Sequence, residues 1–351
     1  MPRQTVRKGL RMTLDAPARP AVKTGPRFSV SRGMVTITIA VVLLFVASAV
    51  LAPTSVSRGA LLGMLPFAAV LAIAAIGQTL VVQQGGIDLS VPGAVSLAVV
   101  IVTHEPNGDD SKLLPALGLG LVVAVVAGVA NGFLVGRLGL NPIVATLGMN
   151  ALLYAGVLGI SGGSPRRTTD LLRSVAGGLT FGIPNSVYVA LVVVALATLA
   201  VKTTAAGRRF EAVGANPDAA FATALPVNRH RAGAYVWAQV LYWLAGVLLA
   251  GIIAQPTAFQ GDAYLLPSVA AVVLGGTSLL GGRGFPVATA MAALFLSQLG
   301  QFVLALGVSF AIRTLVEAAA LTVGVALYSL NWRRLIDRFG RRTPVPSPAA
   351  S

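Results

Sequence analysis

The chain of 351 residues is 56% hydrophobic and only 11% charged, and its mean hydropathy is +0.82. Because a soluble surface carries about 25–35% charged residues, this composition indicates an integral membrane protein and excludes a set of soluble domains. The net charge of +15 lies in polar stretches between long apolar runs, which argues against nucleic-acid binding. With no cysteine, two histidines and eleven acidic residues, we expect no metal site, no catalytic residues and no enzyme activity in the chain itself.

In chain order, a basic arm at residues 1–33 precedes an apolar domain at residues 34–330, and a basic tail at residues 331–351 follows it. The arm contains eight basic residues, several prolines and no apolar periodicity, so we expect it to be disordered. A membrane span needs about 20 apolar residues, and the apolar domain therefore predicts an all-α, polytopic fold. The ten predicted spans are 34–51, 60–82, 89–103, 114–136, 142–162, 186–203, 233–254, 265–280, 285–306 and 308–330.

The distribution of lysine and arginine predicts the orientation of these spans. If both termini are cytoplasmic, the inner segments carry twenty basic residues and the outer segments carry five. Cytoplasmic loops of membrane proteins are enriched in basic residues, so this orientation is strongly favoured. The longest inner loop, residues 204–232, then faces the cytoplasm.

Three glycines, Gly128, Gly132 and Gly136, recur at every fourth position of the fourth predicted span. This spacing places small residues on one helix face, where a second helix can approach closely. We interpret this glycine ridge as a helix-packing surface of a compact bundle rather than as a substrate contact.

Residues 85–93 interrupt the apolar pattern with the sequence Gly-Gly-Ile-Asp-Leu-Ser-Val-Pro-Gly. Gly85 and Gly86 are predicted to end one helix, and Asp88 or Ser90 is predicted to cap the next. A carboxylate at membrane depth costs about 2.5–3.5 kcal/mol on insertion scales, so Asp88 needs a partner, a cap or a water-filled cavity. Two interpretations remain open: a capped helical hairpin, or a broken helix that lines or gates a transport pathway.

Residues 216–225, inside the long inner loop, predict a short helix. Asn216 is the predicted N-cap, a proline takes the first helical position, and Asp218 lies near the positive end of the helix dipole. Phe221 and Leu225, spaced i and i+4, form a small apolar face outside the membrane. We prefer docking of this helix into a groove of a soluble partner over a helix that lies on the membrane surface.

Residues 273–284 read Val-Leu-Gly-Gly-Thr-Ser-Leu-Leu-Gly-Gly-Arg-Gly. The segment lacks the lysine of a phosphate-binding loop, and none of the four lysines of the chain completes that motif elsewhere. We therefore do not expect this chain to hydrolyse ATP. The first glycine pair of the segment follows Gly85-Gly86 by 190 residues, which hints at an internal repeat of the kind that transporters contain.

Two amides and one ion pair in the last spans complete the candidate residues. Gln298 and Gln301 share a helix face and are pathway candidates, although interhelical hydrogen bonding is the default explanation for such amides. Arg313 and Glu317, spaced i and i+4, are interpreted as a neutralised structural pair rather than a proton relay.

Three stretches together resemble the permease subunits of the ribose, xylose and arabinose group of ATP-binding-cassette importers. They are residues 85–90, residues 214–220 and residues 273–284, and their order and separation also match those of the family. The resemblance extends over residues 34–330 and leaves out the arm and the tail.

The resemblance implies a ten-span type II importer fold in the bacterial inner membrane. It also implies a dimer of identical or related permease chains, surrounded by membrane lipid. The implied partners are cytosolic ATPase subunits, which bind ATP and Mg²⁺, and a separate extracytoplasmic sugar-binding protein. Residues 216–225 would be the coupling helix that contacts the ATPase, and this chain would hold no cofactor. The implied coupling residues are Asn216, Asp218, Ala219, Ala220, Phe221 and Leu225. Ala224 departs from the family, where glycine is usual, and is expected to stiffen the end of the helix.

From these observations we expect a permease subunit that passes a monosaccharide, such as the pentose ribose, xylose or arabinose, into the cytoplasm by alternating access. Three alternatives remain. The same scaffold serves permeases for branched-chain amino acids or nucleosides. An ion-coupled secondary transporter would need a titratable cluster, for which only Asp88 and the Arg313–Glu317 pair are available. A membrane-embedded enzyme would need a convergent acid, base or metal set.

Overall fold

A computed structural model of the protein describes residues 32–164, residues 166–309 and scattered positions between 311 and 322. The helices in this part of the chain are α1 Arg32–Leu51, α2 Arg58–Gln83, α3 Val91–His104, α4 Leu113–Gly136, α5 Pro142–Ser161, α6 Asp170–Gly177, α7 Asn185–Thr203, α8 Ala205–Ala215, α9 Pro217–Ala222, α10 Val227–Ile252, α11 Leu265–Leu274 and α12 Pro286–Ala305. Two short strands, β1 Leu179–Thr180 and β2 Ile183–Pro184, pair antiparallel as a small hairpin.

Seven of these helices are long and apolar enough to cross a membrane, namely α1, α2, α4, α5, α7, α10 and α12. The prediction of an all-α, polytopic membrane protein is therefore confirmed. The third and eighth predicted spans correspond to the shorter helices α3, of 14 residues, and α11, of 10 residues. At 1.5 Å per residue they extend about 21 Å and about 15 Å, less than the roughly 30 Å of the hydrocarbon core. Each of these two helices is therefore too short to cross the core alone, and the non-helical segment next to it lies inside the bundle.

The centre of the bundle is formed by α2 and α10, the two spans that are most buried inside the protein. Helix α10 packs along α2, α3 and α4. The glycine ridge of α4 makes the last of these contacts possible, because a Cβ added at Gly128 would lie 2.6 Å from Val236 Cα. A Cβ added at Gly132 would lie 2.8 Å from Ala232 Cα. The predicted packing role of this ridge is confirmed.

The outer surfaces of α1, α4, α5 and α7 carry large exposed apolar side chains, as expected of helices that contact lipid. The chain between α5 and α7 is different, since it forms α6 and the β1–β2 hairpin. Phe181 and Gly182 make the two-residue hairpin turn with φ values of 52° and 78°. Hydrogen bonds tie this segment to neighbouring loops, including Leu171 N–H to Asp110 Oδ1 at 2.9 Å.

Several predicted features lie outside the described residues. They are the basic arm up to residue 31, the Arg313–Glu317 pair, most of the span predicted at residues 308–330, and the tail.

Candidate functional site

The three stretches that carry the family resemblance meet at one end of the bundle. The end of α2 lies against the end of α8 and against the loop that joins α11 to α12. In this contact, which we call the glycine junction, Gln83 packs against Gly214, Gly281, Gly282 and Gly284. Gly282 N–H donates a hydrogen bond to the Gln83 carbonyl at 2.8 Å, although 199 positions separate the two residues in the chain.

Backbone contacts in the glycine junction leave no room for side chains. A Cβ added at Gly214 would lie 1.9 Å from Gln83 O and 3.0 Å from Gly282 N. A Cβ added at Gly281 would lie 2.5 Å from Gly214 O, and one at Gly284 would lie 2.3 Å from Gln83 Cδ. Gly281 and Gly282 also adopt φ values of 91° and 87°, which side-chain-bearing residues rarely adopt. Only glycine permits these three segments to lie in backbone contact.

The predicted end of α2 at the first glycine pair is confirmed. Gly85 adopts a φ of 76° after the helix, and its N–H donates to Val82 O at 2.9 Å. Gly86 N–H donates to Val81 O at 3.2 Å, which completes a Schellman motif. Helix α11 ends in the same way, with Gly276 at a φ of 82° and Thr277 N–H bonded to Val272 O. Both helices therefore end in the same motif, but the left-handed residue is the first glycine of the first pair, Gly85, and the second glycine of the second pair, Gly276, so the two pairs are not in register.

Side-chain contacts attach α8 to the helices beside the junction. Gln84 Nε2 donates to the Phe210 carbonyl at 2.9 Å. Lys202 at the end of α7 forms an ion pair with Glu211 at 2.5 Å, and its ammonium lies 4.7 Å from the centre of the Phe285 ring. No sequence pattern predicts the Lys202–Glu211 pair, because nine positions separate its members and the turn between α7 and α8 brings them together. These contacts hold α8 against α2, α7 and the start of α12.

The predicted helix at residues 216–225 forms, but it is shorter than predicted. Asn216 is its N-cap as expected, with Oδ1 accepting from Ala219 N–H at 3.0 Å. Helix α9 then covers only Pro217–Ala222, so the prediction that Leu225 belongs to its apolar face is wrong. Ala220 is buried toward the protein, whereas Phe221 is 75% exposed. Asp218 and Ala219 are exposed as well, which leaves a free apolar and acidic surface on this helix.

The reason that α9 ends early lies at Ala224. This residue adopts a left-handed conformation with a φ of 61°. Leu225 N–H donates to Ala220 O at 3.0 Å and Ala224 N–H donates to Phe221 O at 2.9 Å, which is another Schellman motif. The turn that glycine usually makes therefore forms here with alanine and the associated strain, and the expectation that alanine stiffens the helix end stays a prediction.

A second group of polar side chains lies between α2, α3, α4 and α10, in the interior of the bundle. Asp88 Oδ1 accepts hydrogen bonds from Ser90 N–H at 2.9 Å and from Ser90 Oγ at 2.5 Å. Ser90 Oγ in turn accepts from Gln239 Nε2 at 2.7 Å and from Asn131 Nδ2 at 3.2 Å. We call Asp88, Ser90, Asn131 and Gln239 the Asp88 cluster. All four side chains are fully buried.

The Asp88 cluster differs from the prediction in how α3 is capped, and it adds Gln239 to the candidate residues. Ser90 stands at the N-cap of α3, but its side chain makes no capping bond, because Asp88 accepts from the Ser90 N–H instead. The Gln78 amide satisfies the Asp88 backbone, accepting from its N–H and donating to its carbonyl at 3.2 Å each in the orientation that pairs both groups. Gln239 was missed from the sequence, since a single amide in an apolar helix is an unspecific signal. The segment from Gly85 to Ser90 is thus a packed hairpin with its polar groups paired inside the bundle.

Gln298 and Gln301 do not join the Asp88 cluster. Gln298 is fully buried, and its Nε2 donates to Ser48 Oγ at 3.0 Å, which links α12 to α1. Gln301 is only partly buried on the same helix. The contact of Gln298 is therefore an interhelical hydrogen bond, and the structure does not bring this pair to the other candidate residues.

Comparison with known proteins gives consistent matches. Residues 60–324 match the family described as the permease component of the branched-chain amino acid transport system. A probable ABC transporter permease protein, y4mJ of Sinorhizobium fredii, is 33% identical over 304 residues, which cover 86% of this chain and 88% of the relative. The ribose import permease protein RbsC of Escherichia coli K12 is 33% identical over 294 residues, covering 82% and 91%. The autoinducer 2 import system permease protein LsrD of Photorhabdus temperata is 30% identical over 273 residues, covering 75% and 80%. No solved structure matches the chain significantly.

Proposed function

The chain belongs to this family of permease components of ATP-binding-cassette importers, and we propose that it imports a monosaccharide by alternating access driven by partner ATPase subunits. The observation that carries the mechanism is the glycine junction, in which the loop that presents α9 is in backbone contact with α2 and with the segment that begins α12. A displacement of α9 would therefore be passed to two membrane helices without a flexible linker.

The proposed mechanism follows from the rigidity of this contact. Closure of the ATPase subunits on ATP and Mg²⁺ moves α9 through its exposed face, which includes Phe221. Gly214 transmits the movement to Gln83 and Gly282, because their backbones are too close to slide past each other. Helices α2 and α12 then tilt as rigid bodies, and the opening changes from one side of the membrane to the other. The residues from Gly85 to Ser90 act as the hinge or gate between α2 and α3.

The substrate proposal is a pentose such as ribose, xylose or arabinose. It is supported by the likeness to a ribose import permease, and the likeness to an autoinducer 2 import permease also favours a small polyhydroxylated solute. The family description mentions branched-chain amino acids, which keeps a permease for such amino acids or for nucleosides as the alternative. An ion-coupled secondary transporter is disfavoured, since Asp88 is fully buried and its Oδ1 is hydrogen-bonded to Ser90 within the protein.

The proposed assembly places this chain in the bacterial inner membrane with both termini in the cytoplasm, as the excess of basic residues at the α9 end of the bundle supports. Two permease chains, identical or related, would associate with two ATPase subunits at that end. An extracytoplasmic sugar-binding protein would dock at the opposite end, where α6 and the β1–β2 hairpin lie. The chain itself would supply the pathway, and ATP hydrolysis would take place in the partners.

The coupling proposal is tested by Phe221→Asp. We expect the full chain to insert normally and to lose both ATPase co-purification and ATP-dependent uptake, because a carboxylate replaces the exposed apolar side chain of α9 that the partner would cover. Phe181→Asp is a matched control for association, since Phe181 is 96% exposed at the opposite end of the bundle. Full uptake by the Phe221→Asp variant would refute the coupling role of α9.

The substrate proposal needs a separate assay. Vesicles that contain the permease, its ATPase and its binding protein would be supplied with labelled ribose, xylose, arabinose, leucine or uridine. We expect ATP-dependent accumulation of at least one pentose and none of leucine or uridine. Accumulation that stops with an uncoupler and continues without the ATPase would instead indicate an ion-coupled transporter.

A further inference from the structure

A groove of about 530 Å³ lies on the side of the bundle between α7, α8 and α10. Leu196 and Ala200 of α7 form one wall, Trp237 and Leu241 of α10 form the other, and Phe210 of α8 lines the end near the glycine junction. The groove lies on the outer surface of two membrane-spanning helices, where Leu196 is 61% exposed and Trp237 is 64% exposed. It therefore opens toward lipid rather than toward the interior of the bundle.

The chemistry of the groove changes along its length. Its walls within the spans are apolar, whereas its mouth at the start of α10 is lined by Arg229 and His230. His230 Nδ1 donates to the Pro226 carbonyl at 2.9 Å, which fixes the imidazole ring and leaves its second nitrogen uncommitted by that bond. Arg229 is exposed, and it takes part in neither ion pair found among the described residues. An apolar channel with a cationic mouth is complementary to a molecule with an acyl chain and an anionic head.

The length of the groove fits one leaflet of a bilayer. Twelve residues of α10 separate Arg229 from Leu241, which corresponds to about 18 Å of helix at 1.5 Å per residue. Half of a hydrocarbon core of roughly 30 Å is about 15 Å. An acyl chain in the groove would therefore reach from the mouth to the middle of the membrane, with its phosphate beside the two cationic or hydrogen-bonding side chains.

We infer that this groove binds an anionic phospholipid, with one acyl chain between α7 and α10 and the headgroup phosphate on Arg229 and His230. A transported sugar would need polar partners that these walls do not offer. A phosphate headgroup supplies a counter-charge for the exposed Arg229. The lipid would brace α8 next to the glycine junction, and this proposal does not depend on which solute the permease carries.

The test uses Trp237, which lines the groove, as a reporter. The chain contains three tryptophans, so Trp243→Phe with Trp332→Phe leaves Trp237 as the only fluorophore of that kind. The full-length chain would be reconstituted into phosphatidylcholine vesicles with increasing fractions of brominated phosphatidylglycerol, or of brominated phosphatidylcholine as the reference. We expect the anionic lipid to bind beside Trp237 about fivefold more tightly, as one favourable headgroup contact of about 1 kcal/mol would give.

Changing Arg229 and His230 together to glutamine should lower that ratio to about one. Arg137→Gln is the matched control, because Arg137 is exposed at the same end of the bundle and does not line the groove, and it should leave the ratio unchanged. Equal quenching by both lipids in the parent chain would overturn the proposal. Weak quenching that depends on protein concentration would also overturn it, and would indicate a second copy in the groove.

A measurement without tryptophan substitutions guards against misfolding of the reporter. Native mass spectrometry of the unmodified chain, released from mixed phosphatidylcholine and phosphatidylglycerol, should show retained phosphatidylglycerol. The Arg229 and His230 double variant should lose it, and retention by that variant equal to the unmodified chain would overturn the proposal. Neither outcome depends on transport activity, so a failure here would leave the proposed coupling mechanism intact.

Discussion

Two neighbouring regions between α7 and α10 contrast with each other: Gly214, where this part of the chain enters the glycine junction, and helix α9. At Gly214 the backbone packs so closely that even one added carbon would lie 1.9 Å from Gln83 O. Helix α9 begins three residues later, and its Phe221 is 75% exposed. The first region is built for a fixed contact inside the chain, and the second offers a surface to something outside it. The contrast indicates that the size of the side chain restricts which residue can stand at position 214. On α9, the chemistry of the exposed surface is the restriction instead.

The largest effect is expected from Gly214→Ala. The added methyl group must displace the backbone of Gln83 and of Gly282, and overpacking of that kind costs about 3 kcal/mol. We expect a lower unfolding midpoint of the purified chain in detergent and a loss of ATP-dependent uptake in any protein that still inserts. Gly148→Ala is the control, because no atom lies within 4 Å of a Cβ added there. If Gly214→Ala unfolded at the temperature of the parent chain, the glycine junction would not be the tight contact described above.

A smaller effect is expected in the Asp88 cluster. Asp88→Ala removes the acceptor of two Ser90 hydrogen bonds inside the bundle, and an unpaired buried group costs about 2 kcal/mol. Asp88→Asn keeps an oxygen for both bonds, so we expect it to retain most of the stability and uptake. Thermal unfolding and vesicle uptake would be measured for both variants. Loss of uptake in Asp88→Asn at unchanged stability would favour a role for the charge and revive an ion-coupled mechanism.

A substitution in the glycine ridge of α4 tests whether helix packing can be weakened without a loss of coupling to the ATPase. A Cβ at Gly132 would lie 2.8 Å from both Cα and O of Ala232, so Gly132→Ala should destabilise the chain by about 1.5 kcal/mol. Because this ridge packs against α10 and takes no part in the glycine junction, uptake should fall only in proportion to the amount of folded protein. The check is uptake per folded molecule together with ATPase co-purification. A selective loss of coupling in Gly132→Ala would mean that α4 belongs to the transmission path.

The smallest effect is a gain in stability from Ala224→Gly. Ala224 has a φ of 61°, and relief of the left-handed strain should contribute about 1 kcal/mol. Phe221 remains exposed in this variant, so ATPase association should not change. The unfolding midpoint of the variant should therefore rise slightly above that of the parent chain. A fall in the midpoint would show that the turn after α9 is not strained by alanine.

Several features of the fold and of the candidate site were predicted from the sequence, and others were not. Hydropathy predicted the seven long spans and the two short ones, because backbone groups in lipid must be paired within helices. Glycine spacing predicted the ridge on α4, and local capping chemistry predicted Asn216 and the end of α2. The early end of α9 was missed because alanine rarely adopts a left-handed conformation, although the glycine usual at position 224 in the family is typical of such a turn. Gln239 and the Lys202–Glu211 pair were missed because their partners are distant in the chain or lie across a turn.

Local composition and spacing were enough to predict the membrane-spanning architecture, the absence of a phosphate-binding motif and the three family stretches. The folded chain shows that these stretches form one contact, with Gly282 N–H bonded to Gln83 O at 2.8 Å. It also shows that Gln298 bonds to Ser48 and that Arg229 and His230 stand at the mouth of an apolar groove. The physical reason is that helix packing brings together residues that are far apart in the chain, and no local pattern encodes which of them will meet.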